Sequence, residues 1–189
     1  MAKRASKDTL TGGTRDVNPQ YLHGRLTLTA ANTATELNLS TPIVRVGPQS
    51  NGKAIIMELL KIFVFYPELD LDAAAATGRQ LSLAFSTVSS GTTAALPTFD
   101  NPRVFAMFVH SVRNAFTAAG TGLLDLQNDP AVYDFGDGAG HGILIATDNI
   151  YITGLTAGMT AAATFTFKIL YRFKEVSLVE YIGIVQSQQ

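Results

Sequence analysis

Residues 163–176 read ATFTFKILYRFKEV, with Phe165, Phe167, Ile169, Tyr171 and Phe173 on every second position. Thr164, Thr166, Lys168, Arg172 and Lys174 fall between them, and Leu170 is the one apolar exception. Strand side chains point alternately to opposite faces, so this spacing predicts a long strand with an aromatic core face and a cationic opposite face. A helix would scatter the same aromatics around its circumference. One sheet must therefore be built on this strand, and residues 177–189 leave it as a tail.

The rest of the chain repeats the theme in shorter pieces. Residues 25–29 (RLTLT), 35–40 (TELNLS) and 80–87 (QLSLAFST) alternate between apolar and polar positions. Residues 54–66 (AIIMELLKIFVFY) start with helix formers but end β-branched and aromatic before Pro67, which favours a strand buried on both faces. Residues 104–116 (VFAMFVHSVRNAF) fit either period; the first half reads as strand and the second half stays open. Residues 143–146 and 149–153 are strand-like, and residues 154–159 read as a turn into the long strand. The sum is about eight strands with long loops and no long helix, the pattern of an all-β sandwich or barrel.

Size and charge bound the rest. The 189 residues suit one domain, which buries roughly 70% of its unfolded surface and needs no staples. Cysteine is absent, so neither a disulfide framework nor a thiolate metal site can form. Charged residues make up 15% of the chain, below the ~25% of typical soluble domains; a surface partly covered by other subunits and an ordinary stable β domain both fit this. A net charge of −1 gives no global basic field. No stretch is long and apolar enough for a transmembrane helix, and the N-terminus lacks the apolar core of a secretory signal. Residues 1–21 read as a flexible arm carrying Lys3, Arg4, Lys7 and Arg15.

Catalytic signatures are weak. Asp134-Phe135-Gly136 spells the kinase metal-binding tripeptide without the other kinase elements. The glycines at 136, 138 and 140 miss the dinucleotide spacing. His23, His110 and His141 are isolated, as expected of packing or surface histidines. No nucleophile elbow occurs, and the chain is expected not to be an enzyme. Asp70 and Asp72 in an acidic loop, with Asp134 and Asp137 in the glycine-rich loop, are the candidate ligands for Ca²⁺ at subunit contacts, but neither loop matches an EF-hand and solvated acidic loops are the simpler reading. No other cofactor is expected. The candidate nucleic-acid contacts are Lys168, Arg172 and Lys174 on the long strand, with Lys3, Arg4 and Lys7 of the arm. The competing reading is a solvated face or salt bridges to acidic residues. So few cations bind weakly alone and gain strength only when many subunits present them to one polymer.

The run HGILIATDNIYITG followed by FKILYRFKEVSLVEYIGIVQSQQ resembles the C-terminal end of capsid proteins from small circular single-stranded DNA viruses that encode a replication initiator, of the environmental and marine type. The resemblance covers residues 140–189, and YRFKEVSLVEYIGIVQSQ is its most specific element. It implies a single jelly-roll β-sandwich over residues 22–176, with subunits that self-assemble into an icosahedral shell around single-stranded DNA, in a virion assembled inside the host cell. It also implies a polar, extended tail over residues 177–189 that lies along a neighbouring subunit, with Leu178, Tyr181, Ile182, Ile184 and Val185 as the contact residues. Many such proteins carry a long arginine-rich arm, and the arm here is short. A non-viral jelly-roll binding module, for carbohydrate for example, is the alternative.

Overall fold

The computed structural model describes residues 19–29, 32, 34–42, 52–67, 78–91, 96–116, 122–124, 131–159 and 161–188. Among the described residues, ten strand segments and one helix follow in order: β1 (Gln20–Leu28), β2 (Thr35–Ser40), β3 (Lys53–Phe65), β4 (Gly78–Ser86), β5 (Val104–Phe116), β6 (Gly122–Leu124), β7 (Ala131–Asp134), β8 (Ile143–Ile145), β9 (Asn149–Ala157), β10 (Ala163–Ser177) and α1 (Leu178–Gln188). Pairing is antiparallel and nested, first strand with last: β1 with β10, β2 with β9, β3 with β7 and β8, and β4 with β5. This is a long hairpin rolled onto itself, a jelly-roll sandwich. One sheet runs β1-β10-β3-β7 with β8 also on β3, and the other runs β2-β9-β4-β5-β6.

The long alternating strand lies in the middle of the first sheet, paired on both sides. Its Phe165, Phe167, Ile169 and Tyr171 are buried, as the period of two requires. Phe167 meets Phe85 of the opposite sheet edge to face, with ring centroids 5.6 Å apart and planes at 90°. Phe85 also packs against Phe108 at 5.6 Å, so the centre of the sandwich is an aromatic cluster joining both sheets. Each of these buried rings contributes about 1.5–3 kcal/mol.

Strand β3 behaves differently at its two ends, and a bulge explains why. The register with β10 shifts between Leu170 and Tyr171, so Leu60 is an extra residue on β3. On the N-terminal side Met57 and Leu59 face the core, while Ala54 and Ile56 are buried on the opposite face under α1. That half is covered on both sides; the C-terminal half, expected to be buried on both faces as well, is not. On the C-terminal side only Ile62 and Val64 are buried, and Phe65 is exposed.

One open question is settled and three expectations need correction. Strand β5 continues through Phe116 as one element, because β4 and then β6 pair along it. Strand β9 does not turn at Gly154 but runs to Ala157; a Cβ at Gly154 would sit 2.7 Å from Leu28, so the glycine lets two sheets approach, not end a strand. Gln20 and Tyr21, placed in the arm by composition, belong to β1. The tail is helical, not extended. Residues 1–18 and 68–77, which include Lys3, Arg4, Lys7, Asp70 and Asp72, lie outside the described residues.

Gly24 of β1 sits opposite Phe167, whose ring occupies the space a side chain would need. We expect Gly24→Ala to destabilise the fold by about 1–3 kcal/mol through overpacking. The loss should shrink when Phe167→Leu is made in the same chain, because the two sites couple directly. Urea midpoints of the single and double variants measure this; simple additivity would mean that the ring does not set the constraint.

Candidate functional site

The cationic face of β10 divides into two regions with different chemistry. At its C-terminal end the cations are already engaged. Glu58 of β3 points to the same face and is fully buried. Its carboxylate accepts from Arg172 Nε, accepts from the Gly142 amide at 3.1 Å, and lies 3.7 Å from Lys174 Nζ. Arg172 also donates through Nη2 to the Gly140 carbonyl at 3.0 Å. Burial pushes the Glu58 carboxyl up, but the Arg172 hydrogen bond, the Gly142 amide and the charges of Lys174 and Arg172 outweigh it and hold it below its ordinary value. Two of the three strand cations read as nucleic-acid contacts therefore pair with one buried carboxylate.

The other half of the face is open. Register places three rows across the sheet: Tyr21, Leu170 and Lys61; His23, Lys168 and Phe63; Arg25, Thr166 and Phe65. Tyr21 is 59% exposed and Phe65 41%. The Tyr21 and Phe63 rings lie 6.5 Å apart, tilted at 51°. Lys61 is neutralised at the edge by Asp134, 2.7 Å away. Lys168, Arg25 and His23 are exposed, and among the described residues no carboxylate pairs with them. Sequence reasoning found Lys168 but missed its neighbours, because Arg25 and His23 join it only through the β1–β10 pairing.

The tail's helix starts at an N-cap serine. Ser177 Oγ accepts from the Glu180 amide at 3.2 Å, in the S-x-x-E pattern that marks helix starts. That signal was present in the sequence. At the other end the Gln188 side chain clamps the β8 end, donating to the Leu144 carbonyl at 2.5 Å and accepting from the Ala146 amide at 2.9 Å. Tyr181, Ile184 and Val185 pack inward over Ala54, Ile56, Ala146 and Val176. Leu178, Val179 and Ile182 form an outer stripe beside that inward face and are exposed by 40%, 83% and 47%. The residues read as neighbour contacts thus split: three cover the protomer's own sheet, and Leu178 and Ile182 face outward.

The remaining candidates have local partners. Asp134 pairs with Lys61 and accepts from the Gly136 amide at 2.9 Å. Asp137 accepts from the His141 and Ala139 amides and contacts His141 Nδ1 at 3.0 Å, bonds that hold its carboxyl at about 2. Among the described residues no three His, Asp or Glu side chains group as a metal site. His110 is a packing histidine, stacked on Tyr66 with ring centroids 4.6 Å apart, and burial lowers its pKa.

By sequence, neither a family model nor a curated protein matches the chain. Solved structures do match in shape. The VP1 pentamer of Human Polyomavirus 6 aligns with a TM-score of 0.53 and 10% identity, over 88% of this chain and 99% of that one. The chain is similar in fold to polyomavirus VP1. A second such protein, VP1 of Trichodysplasia spinulosa-associated polyomavirus, aligns with a TM-score of 0.48 and 9% identity, over 85% of this chain and 98% of that one. Both neighbours are jelly-roll capsid proteins, and at these identities the likeness to VP1 is one of fold.

Proposed function

We propose that the chain is a viral capsid protein that self-assembles into a small icosahedral shell enclosing a circular single-stranded DNA genome, and so is a structural component of the virion. The observation that carries this reading is the jelly roll itself, which spans the chain from β1 to β10 and matches the Human Polyomavirus 6 VP1 fold over nearly its full length. Outward apolar side chains support it: the Leu178, Val179 and Ile182 stripe of α1 is exposed on the protomer. Low overall charge fits a surface that meets copies of itself. The stripe is the proposed contact with a neighbouring subunit, through heterologous contacts that close around symmetry axes. No catalytic step is part of the proposal. Lys3, Arg4 and Lys7 are proposed as supplementary DNA contacts.

Size-exclusion chromatography and electron microscopy of the purified protein test it. Closed particles of uniform diameter are expected. A stable monomer at high concentration would falsify the capsid reading and favour a binding module.

A further inference from the structure

We infer that the open half of the first sheet's outer face, built from β1, β10 and β3, is a binding platform for single-stranded nucleic acid. Its biological occupant, the enclosed genome, rests on the capsid reading; the platform itself rests on the face. Bases stack on accessible aromatic rings, and the exposed Tyr21 and Phe65 with the half-buried Phe63 supply three on adjacent rows. Phosphates need cations that are not already neutralised, and Arg25 and Lys168 stand between the rings without a carboxylate partner among the described residues. Thr166 is short and lies between Arg25 and Phe65, so the sheet dips there. The dip is a hollow of about 330 Å³ with apolar walls, bordered by His23, Arg25, Phe65, Thr166 and Lys168.

The same face is a poor seat for a second copy of the chain. The cores of protein–protein contacts are depleted in charge, and burying Arg25 and Lys168 without partners would oppose association. A single strand matches both halves of the chemistry: it brings flat rings to the aromatics and negative charge to the cations. The face lacks groove-reading geometry, so recognition by stacking tolerates any sequence.

Fluorescence anisotropy of a labelled 20-nucleotide oligothymidine against the full chain, over a potassium chloride series, tests the platform. Arg25→Ala with Lys168→Ala is expected to lower the log–log salt slope by about 1.4, two phosphate contacts. Tyr21→Ala and Phe65→Ala are each expected to weaken binding about tenfold at fixed salt. Lys53→Ala, which removes a cation already paired with Glu175, is the control and should change affinity less than about twofold, in keeping with a screened surface pair of small energy. All four platform positions are exposed, and circular dichroism verifies that the variants fold. Electron microscopy of the same samples separates the two readings. A wild-type chain that binds the oligonucleotide through these residues but forms no particles sinks the capsid reading and leaves the platform standing. Unchanged affinity and slope in the variants overturns the platform, as does failure of the wild-type chain to bind at low salt. Lost particles with retained binding assigns the face to a second copy and also overturns it.

Discussion

Replacing Glu58 with alanine is expected to destabilise the fold by about 3–5 kcal/mol, a large part of the stability of a domain this size. The carboxylate is fully buried and holds Arg172, Lys174 and the Gly142 amide together. Its removal takes the Glu58 carboxylate away from the half-buried guanidinium of Arg172 and from Lys174, and frees the loop amide. The magnitude comes from the desolvated charges that lose this carboxylate, not from the strength of the pair. Glu58→Leu combined with Arg172→Leu should therefore lose less than Glu58→Ala alone. Chemical denaturation of the three proteins decides the matter, and a double variant as weak as the single would contradict it.

The same carboxylate sets an acid limit. Its folded pKa lies below the ordinary 4.5, so the unfolded chain binds the proton more readily. The stability it contributes is fully present above about 4.5 and is lost as pH falls through the lower folded value. Glu58→Gln should flatten the stability profile in that acid window while leaving its shape near neutrality unchanged.

The fold was legible where the physics is local. The two-residue period of residues 163–176 announced β10 and its core face, since nothing but an extended chain aligns five apolar side chains at that spacing. The ambiguity of residues 54–66 was itself informative, because the helix-like half is the part covered by α1 as well as by the core. The candidate site was less legible because charge depends on partners distant in sequence. Arg172 and Lys174 look like free cations until Glu58, 114 residues before Arg172, comes beside them. Tyr21 looked like part of an arm until its pairing with Leu170 put it on a sheet. The helix is a different case: Ser177-Leu178-Val179-Glu180 is a readable S-x-x-E pattern, and the overall polarity of the segment obscured it.

Charging the outer stripe of α1 is expected to abolish particles while leaving the subunit folded. Val179→Asp together with Ile182→Lys is the variant of choice. Val179 lies in the first turn, where an acidic side chain complements the helix dipole. The two introduced charges are opposite in sign, stand at i and i+3 on one face, and support each other. Subunit stability should therefore stay within about 0.5 kcal/mol of the parent, as for other surface changes. Assembly is a different matter, because a charge forced against an apolar neighbour costs several kcal/mol and every subunit of the shell repeats it. Deleting residues 178–188 cannot make this distinction. It would also uncover Ala54, Ile56, Ala146 and Val176 and remove the Gln188 clamp on the β8 end, so folding and assembly would fail together. The paired substitution changes only what faces outward. Particles at parental yield would show that the exposed stripe touches no neighbour, and a variant that fails to fold would mean the helix contributes more to the core than its inward residues indicate.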